Sequence, residues 1–294
     1  MLEHESADPA FQAVRGRLFG LAYRMLGSRA DAEDVVQDVY VRWHQVDRER
    51  IDNPEAWLVA AATRRSIDRL RRLKTERESY QGPWLPEPLM RDGPSRPDRT
   101  LERSSDVSMA FMVLLERLAP EERAAFLLHE VFDADYRHIA AVLEKSEAAC
   151  RQIVHRARER VRRDERRFTV PDAARVTLLE RFTAAVEAHD EQAVLALLAP
   201  DVTWTADGGG RVHAAPRTIA GAVRIARLAI GLVSRFYGRG TTLHLVEVNG
   251  EPGLCFRVNG ALRSILSVDT DGTRIFAVWV VANPDKLPLE RGGV

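Results

Sequence analysis

Apolar residues between Phe11 and Lys74 recur at helical spacing. Val14, Leu18, Leu21 and Met25 are separated by four, three and four positions, which lines them on one helix face, and Gly27 follows where a helix C-terminus favours a left-handed residue. Ser28, with Asp31 three places on, has the form of a capping box and starts a second helix. Its inward stripe is Ala32, Val35, Val39, Trp43 and Val46, which leaves Glu33, Asp34, Gln37, Asp38 and Arg42 facing water. Asn53-Pro54, an N-cap followed by proline at the first helical position, opens a third helix.

Between residues 79 and 100 the periodicity is lost. Gly82, Pro83, Pro86, Pro88, Gly93, Pro94 and Pro97 exclude a regular helix and mark a linker, yet Trp84, Leu85 and Leu89 give it more apolar matter than a flexible spacer needs. Helical patterning returns from about Asp106 to Arg167, with a new start at Pro120-Glu121-Glu122. Beyond Pro171 the pattern predicts two helices, about Asp172 to Ala188 and Glu191 to Leu198, then a half-buried strand over Val202–Ala206. Asn249-Gly250, Asn259-Gly260 and Asp271-Gly272 each separate apolar runs and predict two-residue hairpin turns, hence four antiparallel strands from Leu243 to about Val281.

Composition narrows the reading. A chain of 294 residues with 45% hydrophobic residues has room for two or three domains with real cores. The 43 basic and 43 acidic residues balance, so polyanion binding has to come from local clusters. Cys150 and Cys255 stand far apart, which supports neither a disulfide framework nor a metal site, and no cofactor motif is present. The N-terminal segment lacks the pattern of a secretion signal and no run is long and apolar enough for a membrane span, so a cytoplasmic protein with no membrane partner is expected.

Two segments have nucleic-acid character. Tyr136 to Ala157 reads as a helix-turn-helix, with Ile139, Leu143, Cys150 and Ile153 packing its helices and Ser146 capping the second. Glu147, Arg151, Gln152, His155 and Arg158 then face outward, able to reach base edges and phosphates, and Arg156, Arg160, Arg162 and Arg163 continue the basic run. A helical hairpin with a merely solvated face fits the same residues. The second segment, Arg64, Arg65, Arg69, Arg71, Arg72 and Lys74 on the third helix with Trp57 and Trp43 towards the other end, suits single-stranded DNA, or again a solvated face.

These residues also carry a family resemblance. Asp31-Ala-Glu-Asp34-Val-Val-Gln37-Asp38, Asn53-Pro-Glu-Ala-Trp57-Leu58 and Ile67-Asp68-Arg69-Leu-Arg71 resemble region 2 of extracytoplasmic-function (ECF) sigma factors, and the helix-turn-helix resembles their region 4. Trp84-Leu85-Pro86-Glu87-Pro88, Asp207-Gly208-Gly209-Gly210 and Asn283-Pro284-Asp285-Lys286-Leu287 resemble the SigJ-like group, whose members carry a SnoaL-like C-terminal extension. The resemblance implies a multidomain architecture: an all-α region 2 over 1–78, a linker over 79–104, an all-α region 4 over 105–168, and an α+β SnoaL-like cone over 169–294. It implies an alternative sigma factor, not an enzyme, whose partners are promoter DNA and the clamp helices and flap of core RNA polymerase. Asp34, Gln37 and Asp38 would bind polymerase. Asn53, Trp57, Arg64, Arg65, Arg69, Arg71 and Arg72 would meet the minus-10 element, and Ser146, Glu147, Arg151, Gln152, His155, Arg156 and Arg158 the minus-35 element. The linker, glycine-turn and tail motifs would form a regulatory interface, with the turn admitting the Trp84 ring and donating to Glu87.

In the helix-turn-helix turn, where glycine is usual, Glu144 and Lys145 stand, and a non-glycine left-handed residue there costs roughly 1 kcal/mol. Two rival readings remain for the C-terminal domain. A cone interior suits a small-molecule ligand, either for an enzyme with Asp207 and His213 as acid and base or for a one-component repressor. The enzyme leaves the DNA-binding front half without a role, and the repressor does not account for the acidic face of the second helix or the basic cluster on the third.

Overall fold

The computed structural model describes residues 8–91, 107–164, 170–236 and 240–288. The chain divides into two compact units, one of residues 1–78 and 114–165 and the other of residues 79–113 and 166–294.

The first unit is helical. It contains α1 (Pro9–Leu26), α2 (Arg29–Gln45), α3 (Pro54–Arg77), α5 (Pro120–Glu130), α6 (Tyr136–Leu143) and α7 (Glu147–Asp164), and the boundary with the second unit runs through α4 (Met109–Leu115). The starts follow the expected chemistry. Ser28 Oγ accepts from Asp31 N at 3.3 Å and Asn53 Oδ1 from Ala56 N at 3.0 Å, while Gly27 ends α1 at φ 66°. In α2 the stripe of Ala32, Val35, Val39 and Trp43 is buried together with Val36, whereas Val46 lies past the helix end and is half-buried. Trp43 is held further by Asp8, whose Oδ2 accepts from Trp43 Nε1 at 3.0 Å and whose Oδ1 caps α1.

The helix-turn-helix is α6 and α7. Glu144 takes the left-handed conformation at φ 54°, ψ 44° without glycine, and its N–H closes on Ala140 O. Ile139, Cys150, Ile153, Val154 and Ala157 are buried as expected. Val142 replaces Leu143 in the core, because the short α6 turns position 142 inward and leaves 143 half-exposed.

The second unit is built on a seven-stranded sheet of order β1-β4-β5-β6-β7-β2-β3. Its strands are β1 (Met90–Arg91), β2 (Leu198–Asp207), β3 (Ile219–Ala220), β4 (Thr241–Val248), β5 (Glu251–Val258), β6 (Ala261–Thr270) and β7 (Ile275–Val281). Every pairing is antiparallel except β2 with β7. The first two hairpins have the expected two-residue turns, with Asn249 and Asn259 at φ 54° and 51°. The third differs: Thr270 pairs with Ile275, so residues 271–274 form a longer loop, closed by Asp271 Oδ1 accepting from Thr273 N and Arg274 N.

Helices α8 (Asp172–Glu187), α9 (Glu191–Leu197) and α10 (Ala222–Phe236) cover one face of this sheet. Their core includes Phe182, Trp204, Ile225, Leu254, Val268 and Val278. On other sheet residues the linker and tail add their own apolar contacts, Leu85 with Met109 and Val281, and Met90 and Leu287 with Val246, Val248, Cys255 and Ile265. The unit is the α+β SnoaL-like cone, with residues 80–91 joined to it as an extended segment ending in an edge strand.

Candidate functional sites

In the first unit the acidic face of α2 and the basic face of α3 are two sides of one groove. Asp34, Gln37 and Val41 are exposed on one side, with Arg65, Arg69 and Arg72 opposite. Arg65 Nε donates to Asp38 Oδ2 at 2.6 Å, and Arg69 bridges Asp31 at 2.7 Å and Glu76 at 2.8 Å. Asp38 is therefore already engaged, while Asp34 and Gln37 are exposed to solvent.

The remaining expected minus-10 residues divide by role. Asn53 spends its carbonyl oxygen on capping α3, and Trp57 is half-buried with its ring 5.4 Å from that of Trp43. Arg64 reaches the C-terminal end of α6, donating to Val142 O at 3.1 Å and Ala141 O at 2.8 Å, where a cation suits the carbonyl end of a helix. Arg71 pairs with Glu121 on α5 at 2.8 Å, while Arg72 is exposed. Sequence reasoning missed how these helices are fastened together. Fully buried Arg123 donates to Met25 O at 2.8 Å and to Glu116 at 2.9 Å, and Arg77 donates to Glu116 at 2.7 Å and Leu26 O at 2.9 Å. Nothing in a one-dimensional pattern marks an arginine inside an apolar run as buried.

On α7, Arg151, Gln152, His155 and Arg156 line one exposed concavity. Ser146 caps the helix through Ala149 N at 3.2 Å, and Glu147 pairs with Arg151 at 2.8 Å. Arg158 lies to one side, half-buried against Glu130 with its Nε donating at 2.6 Å, and that hydrogen bond raises its pKa.

The densest polar site in the second unit surrounds Asp207, whose residue is fully buried at the end of β2. Its Oδ1 accepts from Tyr80 OH at 2.5 Å and Gly209 N at 3.0 Å; its Oδ2 accepts from Leu85 N at 2.9 Å and Lys286 Nζ at 2.7 Å. Its own carbonyl accepts from Ala282 N and Asn283 N. Lys286 also donates to Leu85 O at 2.6 Å and lies 4.0 Å from the centre of the Trp84 ring. Burial first, and then the Asp207 carboxylate, push the Tyr80 phenol well above its ordinary range.

The three motifs thus meet. The glycine turn receives Asn283 and Gln81, since a Cβ on Gly209 would stand 2.2 Å from Asn283 Nδ2 and one on Gly210 2.5 Å from Gln81 Oε1. Trp84 covers the Lys286 ammonium, and Gly209 N donates to Asp207 Oδ1. Both Asp207 oxygens are taken up by these donors and His213 is exposed, which removes the basis for an acid-base pair. Within the motifs Pro86 and Pro88 are buried beside Leu85, Gly208 turns tightly against Val212, and Pro284 and Asp285 are exposed, with Asp285 3.3 Å from Arg211.

A further anchor is Asn249, legible in the sequence only as a turn residue. It is 2% exposed, its Oδ1 accepts from Leu89 N at 3.0 Å, its N–H donates to Leu89 O at 2.9 Å, and its Nδ2 donates to Val107 O at 2.8 Å. Among the described residues no group of His, Cys, Asp and Glu has a metal-binding arrangement, and no helix is long and apolar enough to cross a membrane.

Comparison with known proteins settles the family. Sigma-70 region 2 matches residues 10–76 and Sigma-70, region 4 matches residues 108–161. The ECF RNA polymerase sigma factor SigJ of Mycobacterium tuberculosis is 39% identical over 288 residues, covering 94% of this chain and 91% of the relative. The chain belongs to the ECF RNA polymerase sigma factor family. The probable ECF sigma factor SigI of the same species is 29% identical over the whole of both chains. The crystal structure of M. tuberculosis SigJ matches this ECF sigma factor with a TM-score of 0.76 at 36% identity, covering 94% of this chain and 96% of that one. As a member of the family it is an alternative sigma factor, which binds core RNA polymerase and directs initiation at promoter DNA.

Proposed function

We propose that this sigma factor is regulated in cis, by docking of its 80–91 linker on its own C-terminal cone. The observation that carries this reading is the buried Asp207 carboxylate, which gathers Tyr80 and Leu85 of the linker and Lys286 of the tail in one network. Satisfied networks of this kind have one good geometry and are disrupted as a unit. Asp34, Gln37 and Asp38 dock the clamp helices of the polymerase, and region 4 meets the flap. Asn53, Trp57, Arg64, Arg65, Arg69, Arg71 and Arg72 form the minus-10 side, with Trp57 against Trp43 as the floor for an unstacked base. Arg151, Gln152, His155 and Arg156 face the minus-35 duplex, Ser146 and Glu147 position the helix, and Arg158 contacts phosphate only after parting from Glu130.

Arg64 and Arg71 spend part of their donors on α6 and α5, so full engagement of both guanidinium groups with phosphate competes with the contacts between region 2 and region 4. The decisive experiment is transcription from a purified promoter with core polymerase, comparing the full chain, a truncation after Arg167, and Trp84→Ala. The truncation is expected to retain core binding and change promoter activity strongly, with Trp84→Ala a milder form of it. Equal activity of all three would overturn regulation in cis.

A further inference from the structure

One stretch of the C-terminal domain stands out in charge. The 39 residues from 208 to 246 contain six arginines (211, 217, 224, 227, 235 and 239) and no Asp or Glu. Arg211 is matched by Asp285 at 3.3 Å and Arg227 by Glu191 at 3.0 Å. Arg217, Arg224 and Arg235 are exposed and have no carboxylate partner among the described residues.

Helix α10 presents these charges on one side. Ile225, Ala226, Ala229 and Val233 pack into the core, so Arg224, Arg227, Gly231 and Arg235, at steps of three, four and four, share the outward face. This face is not arranged for helix stability. Gly221 accepts the first helical hydrogen bond from Ile225 N, which puts Arg224 in the first turn, where the helix dipole favours acids. Gly231 weakens an exposed helix interior, and among the described residues nothing lies within 4 Å of where its Cβ would stand, so no packing among them explains it. It leaves the centre of the arginine face low enough for close approach. Positions that set aside local preference without a structural gain mark function.

We infer that the outward face of α10, with Arg217 beside it in sequence, is a third DNA-contacting surface, one that binds the phosphate backbone of duplex DNA without reading bases. Guanidinium groups suit phosphate oxygens, and DNA is the polyanion that a sigma factor's activity brings to the protein. Arg224 to Arg235 spans about 16 Å of helix axis, the length of several phosphates spaced about 3.4 Å along one strand. The surface adds affinity and leaves promoter preference to region 2 and region 4.

The test uses the full chain bound to core polymerase and a mixed-sequence DNA duplex as the probe. Affinity is followed against salt for the wild type, for Arg217→Gln/Arg224→Gln/Arg235→Gln, and for the same three positions changed to lysine. Each lost phosphate contact lowers the slope of log affinity against log salt by about 0.9, so the glutamine variant should fall by about 2.7, and doubling the salt should weaken the wild type about 6-fold more. The lysine variant should keep the slope, because a point charge serves at phosphate. An unchanged slope in the glutamine variant overturns the inference. So does loss of affinity for core polymerase with the DNA slope intact, which would assign the face to an acidic protein surface. An unchanged thermal midpoint confirms the fold of either variant.

Discussion

Replacing Asp207 by asparagine keeps the shape of the side chain and removes its charge. Oδ1 faces the Tyr80 hydroxyl and the Gly209 N–H, and Oδ2 faces the Leu85 N–H and the Lys286 ammonium. Whichever way the amide is turned, its NH₂ group opposes two donors. Lys286, only 12% exposed, loses its carboxylate, and breaking a buried pair from one side costs about 3–5 kcal/mol. A neutral donor left without an acceptor costs a further ~1–3 kcal/mol. Against this, burial of the Leu85 side chain is worth about 1.5–3 kcal/mol, so the expected outcome is release of the linker with the sheet intact. Amide hydrogen exchange reads this directly. A loss of about 3 kcal/mol accelerates exchange of Leu85 N–H roughly 100-fold, while core amides such as that of Val278 keep their protection. Leu85 protection within about threefold of the wild type would refute the claim that Asp207 holds the linker.

Asn249→Ala should expose Leu89 to exchange while leaving Leu85 protected, since the two residues depend on different anchors; joint release of both would show that they act as one. Asp34→Ala/Asp38→Ala should weaken core association by removing charge from the docking face, measured by competition for core polymerase, and unchanged affinity with the fold preserved would count against the assignment. Arg151→Ala or Gln152→Ala should relax preference at one or two positions of the upstream element by about 1–3 kcal/mol, whereas Arg158→Ala should weaken all sequences alike, as tested by binding to single-substitution promoter panels. Tyr80 carries a phenol pKa raised by burial and by Asp207, so the folded state holds its proton where the unfolded chain loses it. That stability is fully present below pH about 10, the unfolded value, and is lost progressively as pH rises above it towards the raised folded value; Tyr80→Phe should flatten the alkaline limb of the melting profile.

The elements most legible in the sequence were those with local signals. Ser28 and Asn53 cap helices because their side chains reach N–H groups three residues away, and Asn249 and Asn259 turn strands because they tolerate positive φ. The 270–275 connection was misread as a two-residue turn: Asp271 is not left-handed there and caps a longer loop through its side chain. Partners distant in sequence were not legible. That Leu85 and Lys286 meet at Asp207 was suggested by motif resemblance, but Tyr80 and Gln81 carry no local mark of their role. Nor does any pattern distinguish Arg64, bound to carbonyls of α6, from exposed Arg72 beside it on the same basic helix.

The arginines between region 2 and region 4 also bear on how readily that contact opens. Two guanidinium groups, those of Arg77 and Arg123, share Glu116, and Arg123 Nε and Nη2 are buried without an acceptor. A buried donor left unsatisfied costs about 1–3 kcal/mol, so the packed arrangement keeps part of its desolvation cost uncompensated. Opening would return those N–H groups to water and free Arg64 and Arg71 for phosphate. The contacts that close the unit are thus made by the groups that gain most from leaving it. The consequence is specific: because Glu116 keeps Arg77 as its cation, Arg123→Met leaves no carboxylate unpaired and removes two unsatisfied donors, so it should lose the contact to Met25 O yet hold the helices together at least as firmly. Urea unfolding would measure the stability and promoter binding the release. A variant markedly less stable than the wild type would show that Arg123 earns its place through Met25 and Glu116, and that the packed state is the one the sequence is built to keep.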